Sequence, residues 1–287
     1  MSGPARVAYL GPAGTNTDEA LRASATEEIV PESRPTVHDA IMAVEKGESE
    51  LAVVPIENSL EGGVAATLDA LAGDAEHVRI VREVVYPIHH QLIAAGPIEL
   101  DAIERVLSHP QAIGQCTGFL RERLGHAEVA GATSTADAVR TVGEGGRPWA
   151  AIGSRLAAEL YGGTVIAERI EDRADNVTRF VWLAHTDGDR PSPAGPAKTS
   201  IVFWGFNDAS PGALVSVLRE LSDRDINLTK IESRPRRVRL GHYMFFADLE
   251  GGLGEAHVEQ ALEALAERVE TLKVLGSYPV APSNAPQ

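Results

Sequence analysis

The sequence has a single cysteine, Cys116, so no disulfide bond can form within the 287-residue chain. Such cysteine usage is typical of a reducing compartment, and we expect the cytoplasm. No apolar run approaches the roughly 20 residues that a membrane-spanning helix needs. The N-terminal stretch also lacks the apolar core of a signal peptide. These absences predict a protein with no membrane partner.

Positive charge is scarce, with 26 Lys and Arg residues against 41 Asp and Glu residues and a formal net charge of −15. Because no dense basic run is present, we expect no nucleic-acid partner. The overall negative field would repel a small anion. A site for an anionic ligand therefore has to supply its own local hydrogen-bond donors.

The common sequence signatures of metal and nucleotide chemistry are missing as well. The chain contains no GxxxxGK[ST] phosphate loop, no HExxH pair and no GxSxG elbow. His89 and His90 are adjacent on an extended run, so their side chains face opposite ways and do not form a metal pair. We predict no metal and no organic cofactor.

A stretch rich in Pro, Gly and Asp, residues 185–198, interrupts the hydrophobic periodicity and is interpreted as an interdomain linker. Before it, short apolar runs alternate with amphipathic helical patterns, which is typical of an α/β domain. After it, the order strand, helix, strand, strand, helix, strand indicates a ferredoxin-like domain.

Two turns after predicted strands carry groups suited to a ligand. GPAGT, residues 11–15, precedes a helix, and its backbone N–H groups suit a carboxylate, although a simple tight turn also explains it. Glu57, Asn58 and Ser59 end an apolar strand, where open α/β sheets bind ligands. Glu57 is a carboxylate or a neutral acid depending on its pocket, and Asn58 and Ser59 either donate to a ligand or act as turn and cap residues.

Two further segments place polar side chains at the ends of elements. HPQAIGQCTGFLRERLG, residues 109–125, is predicted to form a single helix that starts near Ser108. Gln111 and Gln115 share one face of it, and a buried Gln115 demands a partner or a ligand. Thr178 and Arg179 are consecutive residues near the start of a strand, so they point to opposite faces. Only one of the two reaches a given pocket directly.

The motifs AYLGPAGT, VPIENS, SHPQAIGQC, STADA, AAIGS and NVTRF, followed after the linker by GALVSVL and ESRP, resemble those of prephenate dehydratase with a C-terminal ACT domain. Each motif is weak alone, but together they occur in order and cover nearly the whole chain. The resemblance implies an α/β fold with a two-lobed, periplasmic-binding-protein-like catalytic domain at residues 1–187, whose second lobe comprises about 85–160. A linker at 188–198 and a ferredoxin-like (βαββαβ) ACT regulatory domain at 199–280 follow.

The resemblance also implies which residues form the sites. The implied catalytic residues are Thr178, Glu57, Asn58, Ser108 and Gln115, and the implied substrate-binding residues are Gly14, Thr15, Ser59, Ser134 and Arg179. An allosteric phenylalanine site is implied at Gly212, Ala213, Leu214, Asn227, Glu232, Ser233, Arg234 and Pro235. We expect Glu57, Asn58, Gln115 and Thr178 to line one cavity between the two lobes.

The implied reaction converts prephenate to phenylpyruvate, water and carbon dioxide in L-phenylalanine biosynthesis, with L-phenylalanine as an inhibitor bound where two ACT domains meet. A homodimer or homotetramer is implied. Three alternatives stay open: an arogenate dehydratase, which differs only in its substrate; a solute-binding protein, which would need an export signal; and a regulatory binding module without turnover.

Overall fold

The structure is a computed structural model that describes residues 3–187, 195–206 and 210–282. Most of the predicted linker, residues 188–194, lies outside the described residues. The strands are β1 (Ala5–Leu10), β2 (Ile29–Arg34), β3 (Leu51–Asn58), β4 (Gly62–Gly63), β5 (Val78–Pro87), β6 (Gln91–Ala94), β7 (Arg105–Ser108), β8 (Glu128–Gly131), β9 (Trp149–Gly153), β10 (Thr164–Ala167), β11 (Val177–His185), β12 (Ala197–Trp204), β13 (Leu228–Pro235), β14 (Tyr243–Glu250) and β15 (Thr271–Pro279). The helices are α1 (Asn16–Ser24), α2 (Val37–Glu45), α3 (Ala65–Ala72), α4 (Pro110–Gln115), α5 (Thr117–Arg123), α6 (Thr135–Gly143), α7 (Arg155–Tyr161), α8 (Ala213–Ser222) and α9 (Ala256–Ala266).

The chain divides into two compact units, and the first comprises residues 1–40, 53–62 and 85–180. Its first lobe contains strands in the order β11-β3-β1-β2, with β1 and β2 parallel. Its second lobe is a five-stranded sheet in the order β10-β6-β9-β7-β8. Strands β7, β8 and β9 are parallel, whereas β6 runs antiparallel to both β9 and β10.

The second lobe has helices on both faces because the side chains of its central strands alternate. Leu92 and Val106 pack with α4 and α5 on one face of the sheet. Their neighbours Ile93 and Leu107 pack with α6 and α7 on the other face. Both faces of the sheet are therefore buried, as the near-continuous apolar character of these strands requires.

Two segments, residues 88–90 and 168–176, connect the lobes of the first unit and lie side by side. The backbone N–H of Ile88 donates to the carbonyl oxygen of Asn176 at 2.9 Å, and the N–H of Ile170 donates to that of His90 at 2.9 Å. Two α/β lobes joined by a double crossing have the arrangement of periplasmic binding proteins. The predicted two-lobed α/β fold is confirmed.

The single helix predicted around SHPQAIGQC is observed as two, because α4 ends at Gln115 and α5 begins at Thr117. The carbonyl oxygen of Gln115 accepts from the backbone N–H of Asp172 at 2.8 Å instead of continuing the helix. The Asp172 carboxylate in turn accepts from the N–H of Gly118 at 2.9 Å. A contact from a distant segment thus decides the break.

The second unit comprises residues 41–52, 63–84 and 181–287. Its strands follow the order β13-β14-β12-β15-β5, and α8 and α9 bury one face of the sheet through Phe203, Val217 and Leu265. The order β12-α8-β13-β14-α9-β15 confirms the predicted βαββαβ arrangement. A Cβ at Gly276 would lie 2.2 Å from the carbonyl oxygen of Ile80, so glycine is required where β15 meets β5. In the described part of the chain, no helix is long and apolar enough to cross a membrane.

Candidate active site

Asn58 and Thr178 meet where β3 ends and β11 begins. The Asn58 Nδ2 donates to Thr178 Oγ1 at 2.8 Å, and both side chains are buried, with exposures of 9% and 8%. The Asn58 Oδ1 accepts from the backbone N–H groups of Leu60 at 2.9 Å and Glu61 at 3.1 Å. Because two backbone donors fix this oxygen, the Asn58 amide cannot be reversed without losing both hydrogen bonds.

The orientation of Asn58 determines what Thr178 can do. The Oγ1 of Thr178 receives a hydrogen from Asn58, so its own hydroxyl hydrogen has to point elsewhere. Among the described residues, no acceptor lies within hydrogen-bond distance of this hydroxyl. The hydroxyl hydrogen of Thr178 is therefore not used by the Asn58 amide.

A second amide extends the network from the first lobe to the second. Asn176 is 1% exposed, and its Oδ1 accepts from Asn58 Nδ2 at 2.8 Å. Its Nδ2 donates to Gln115 Oε1 at 3.0 Å. The same Gln115 oxygen lies 2.8 Å from the Nε2 of His90, which is 2% exposed. Asn58, Gln115 and Thr178 are thus joined in one network, although they are far apart in sequence.

His90 and Asn176 are members of this network that the sequence did not predict. Asn176 lies in the NVTRF motif two residues before Thr178, and this proximity was the one sequence feature that could have indicated it. The only feature of the sequence that drew attention to His90 was that it follows another histidine, His89. The structure shows that burial lowers the pKa of His90, which keeps the imidazole neutral near pH 7.

Glu57 and Arg179 form a separate pair. The Nη1 of Arg179 lies 3.2 Å from Glu57 Oε2, with side-chain exposures of 11% and 36%. Consecutive strand residues face opposite sides of a sheet. Since Glu57 precedes Asn58 and Arg179 follows Thr178, this ion pair lies on the face opposite to the Asn58–Thr178 hydrogen bond. The Glu57 carboxylate therefore contacts a guanidinium and lies apart from that hydrogen bond.

The three serines predicted for the catalytic and substrate-binding sets make hydrogen bonds to backbone groups. Ser59 Oγ accepts from the N–H of Val177 at 3.0 Å, which ties the ENS turn to β11. Ser108 is fully buried and donates to the carbonyl oxygen of Ile152 at 2.7 Å. Ser134 is the N-cap of α6 and accepts from the N–H of Asp137 at 3.0 Å.

A carboxylate from α1 already occupies a backbone donor of the GPAGT turn. The carboxylate of Asp18 is fully buried and accepts from the N–H of Gly14 at 2.9 Å. Thr15 is the N-cap of α1 and donates its hydroxyl to the carbonyl oxygen of Leu10 at 3.1 Å. The carbonyl oxygen of Gly14 accepts from Ser154 Oγ at 2.6 Å, which joins this turn to the second lobe. Gly14 and Thr15 thus already have protein partners.

The predicted effector residues fall into two groups in the second unit. Gly212, Ala213 and Leu214 line a cavity of about 330 Å³ together with Phe206, Tyr243 and Phe245. The ESRP segment contacts α3 instead. Arg234 makes two hydrogen bonds to the Asp69 carboxylate, at 2.7 and 3.0 Å. Asn227 and Ser233 are outside the cavity.

The side chains that could ligate a metal are dispersed. Within residues 3–187, 195–206 and 210–282, no group of three or more His, Cys, Asp or Glu side chains is arranged to hold a metal ion. The His89 Nδ1 pairs with Glu171 Oε1 at 2.8 Å, whereas His90 faces Gln115. The two adjacent histidines thus have different partners, as their alternation on an extended run predicts.

Comparison with known proteins adds to this geometry. Residues 7–188 match the family model described as prephenate dehydratase, and residues 207–267 match the ACT domain model. A bifunctional chorismate mutase/prephenate dehydratase from Neisseria gonorrhoeae is 40% identical over 279 residues, which cover 97% of this chain and 75% of that protein.

Two solved structures are similar over almost the whole chain. Prephenate dehydratase from Arthrobacter aurescens, in complex with L-Phe, is 37% identical with a TM-score of 0.88, and the match covers 96% of this chain and 90% of that one. GqqA, described as a novel type of quorum quenching acylase, is 31% identical with a TM-score of 0.86, and the match covers 96% and 98% of the two chains.

Proposed function

The chain belongs to the prephenate dehydratase family, and on that premise we propose that it converts prephenate to phenylpyruvate, water and carbon dioxide. The observation that carries the proposal is the enforced donor role of the Thr178 hydroxyl, which receives the Asn58 Nδ2 hydrogen at 2.8 Å. A departing hydroxyl group needs such a donor.

The chemistry requires positioned donors more than a strong nucleophile. As the bond between the ring and its hydroxyl breaks, the bond to the ring carboxylate breaks as well, and its electron pair completes the aromatic ring. Carbon dioxide leaves, and the hydroxyl gains a proton and leaves as water. Since a threonine hydroxyl is a very poor acid, Thr178 stabilises the departing oxygen or relays a proton that another group supplies.

The substrate is a dianion, and neutral donors receive it. Gln115 uses its oxygen for His90 and Asn176, so its Nε2 hydrogens are directed away from both and are available to a carboxylate. Ser108, with its hydroxyl hydrogen committed to Ile152, contributes by holding the end of β7. Ser59 and Ser134 are assigned to shaping the ENS turn and the start of α6.

Glu57 is not the proton source in the proposed reaction. Its pairing with Arg179 at 3.2 Å places its carboxylate on the other face of β3. We assign Glu57 and Arg179 to fixing the register of β3 against β11. Gly14 and Thr15 are assigned to holding the GPAGT turn against the second lobe.

The test is turnover by the purified chain, followed as phenylpyruvate formation. Prephenate and arogenate are assayed side by side, because the two differ only in the oxo or amino group of the side chain. We expect kcat/KM for prephenate to exceed that for arogenate. Turnover of arogenate alone would replace the proposed substrate, and turnover of neither would refute the proposed activity.

The similarity to GqqA is a reason to test the purified chain for amide hydrolysis as well. Amide hydrolysis needs an activated nucleophile and an oxyanion site. In the described part of the network, Thr178 accepts from an amide rather than donating to a base, which does not activate it as a nucleophile. We expect no release of free amine from an N-acyl substrate under conditions that convert prephenate.

L-Phenylalanine is the proposed effector, as in the complex of the A. aurescens protein. The cavity of about 330 Å³ has the phenyl rings of Phe206 and Phe245 and the phenol of Tyr243 in its lining, which suits an aromatic side chain. Gly212, at φ +81°, is the N-cap of α8, and a carboxylate is favoured at the start of a helix. We expect phenylalanine to inhibit turnover at millimolar concentration.

A substitution in the cavity tests whether phenylalanine binds there. Leu214→Glu places a second carboxylate in the cavity and repels that of the amino acid, so half-inhibition should need at least about tenfold more phenylalanine. Leu253→Glu, a change of the same type at an exposed position of the second unit, serves as the control. Equal inhibition of both variants would place the effector elsewhere.

The remaining features are proposed on the same family basis. The catalytic domain is assigned to residues 1–187, the linker to 188–198 and the ACT domain to 199–280. A homodimer or homotetramer brings Asn227 and Glu232 to Pro235 of one copy near the cavity of another, and light scattering tests this. A cytoplasmic location is supported by the single cysteine, Cys116, which is buried.

A further inference from the structure

We infer that His90 is a positioning residue for the proposed reaction: its Nε2–H holds the carboxamide oxygen of Gln115, which turns both Gln115 Nε2 hydrogens toward the substrate. The inference rests on the proposed function for its kinetic consequences. The orientation itself follows from the hydrogen bonds alone.

The direction of the network is set at its first-lobe end. The backbone N–H groups of Leu60 and Glu61 are fixed donors and hold Asn58 Oδ1. Asn58 Nδ2 must then donate to Asn176 Oδ1, and Asn176 Nδ2 must donate to Gln115 Oε1. Reversing any one amide would bring two donors or two acceptors together.

This direction decides the state of His90. The Gln115 atom that faces its Nε2 at 2.8 Å is an oxygen, which only accepts. His90 Nε2 therefore carries a hydrogen. A neutral imidazole has one N–H, so the neutral ring is the Nε2–H tautomer and its Nδ1 is unprotonated.

The surroundings of His90 hold the ring in place. The backbone N–H of His90 donates to Glu171 Oε2 at 2.9 Å, and its carbonyl oxygen accepts from Ile170 N–H at 2.9 Å. Both contacts come from the second segment that connects the lobes. His90 is therefore fixed between the lobes, where it can orient Gln115 of α4 relative to Thr178 of β11.

Gln115 needs this second contact because one hydrogen bond would leave it free to rotate. Asn176 alone holds the oxygen at 3.0 Å, whereas His90 approaches from a different segment at 2.8 Å. With both donors on the oxygen, the Nε2 hydrogens have no partner among the described residues. Gln115 and Asn176 also line a cavity of about 180 Å³ beside α4.

The first experiment determines which tautomer of His90 is present, and it does not depend on enzymatic activity. The chain has nine histidines, and the imidazole nitrogens of protein labelled with ¹⁵N-histidine are observed by NMR at pH 7. The signal that is missing from His90→Gln identifies His90. We expect a neutral ring with the hydrogen on Nε2. A hydrogen on Nδ1 alone, or a doubly protonated ring, would overturn the inference.

The second experiment measures whether His90 acts through Gln115. His90→Leu should lower kcat for prephenate about tenfold, the order expected when one hydrogen bond no longer positions a donor. His90→Gln keeps an N–H near the Nε2 position and should restore kcat to within about threefold of wild type. His89→Gln, the same change at the adjacent histidine, is the matched control.

A double-mutant cycle separates positioning from general loss of structure. In a Gln115→Ala background, His90→Leu should cause no further loss of kcat, because the group it orients is gone. Independent tenfold losses would contradict the inference. If wild type does not convert prephenate, the proposed function fails, yet the NMR result still decides the tautomer. If His90→Leu does not fold, His90→Gln and the NMR measurement remain decisive.

Discussion

Replacing Asn58 by Asp tests the direction of the network with almost no change in shape. The Asn58 Nδ2 donates to Thr178 Oγ1 and Asn176 Oδ1, each at 2.8 Å, and lies 3.2 Å from the carbonyl oxygen of Val177. A carboxylate oxygen in its place faces these acceptors without a hydrogen. Thr178 can rotate and donate to the introduced carboxylate, but that removes its hydrogen from the substrate.

The expected magnitudes follow from these contacts. The Val177 carbonyl oxygen keeps the backbone N–H of Ser59 as a donor at 2.9 Å. A buried polar group left unsatisfied costs about 1–3 kcal/mol, so the loss of the partner of Asn176 Oδ1 should destabilise the fold by about 1–3 kcal/mol. For a chain of this size that lowers Tm by roughly 2–12 °C. Removing a positioned donor from the leaving group should lower kcat by roughly 10²-fold or more.

The assay combines thermal unfolding with the rate of phenylpyruvate formation across pH. Because the introduced carboxyl group regains an O–H donor when it is protonated, the variant should recover part of its relative activity as the pH falls. Gln111→Glu, the same amide-to-acid change on the exposed side of α4, is the control. An Asn58→Asp protein with wild-type Tm and kcat within about threefold of wild type would refute the assigned direction.

Three further outcomes are expected. Gly14→Ala should lower the free energy of unfolding by about 2–4 kcal/mol, since Gly14 has φ +83° and a Cβ there would lie 2.9 Å from the Cα of Ala157. A Tm within about 1–2 °C of wild type, which corresponds to less than about 1 kcal/mol, would contradict this. Burial lowers the folded-state pKa of His90 below its ordinary 6.5, so the unfolded chain binds the extra proton first and the free energy of unfolding decreases as the pH falls below about 6.5. Urea unfolding at several pH values should show that this decrease is smaller for His90→Gln than for wild type. An identical decrease in both proteins would remove His90 as a cause. Asp69→Asn weakens the contact of α3 with Arg234 and should reduce inhibition by phenylalanine if the ESRP segment transmits binding to α3; unchanged inhibition curves would exclude this contact from regulation.

The sequence predicted the elements that depend on local pattern. Alternating strands and helices indicated the α/β unit, and the βαββαβ order indicated the second fold. The N-cap of α6 is a feature of the same local kind, since Ser134 accepts from the N–H of Asp137 three residues along the chain. Local periodicity and capping chemistry suffice for such features because they involve neighbours in sequence.

Features that depend on distant partners were harder to predict. The break between α4 and α5 arises from Asp172, and the GPAGT turn is satisfied by the buried Asp18. Glu57 is paired with Arg179 because the register of β3 against β11 sets which side chains share a face. The network partners His90 and Asn176 are recognisable only after the two connecting segments are brought together in the fold.

In the proposed reaction, Thr178 donates its hydroxyl hydrogen to the departing hydroxyl of prephenate. The most direct measurement compares kcat of Thr178→Val with that of Thr178→Ser, since valine keeps the shape and serine keeps the hydroxyl. We predict a loss of roughly 10²-fold or more for valine and less than about tenfold for serine. Equal activity of the two variants, or a valine variant within about threefold of wild type, would contradict the claim.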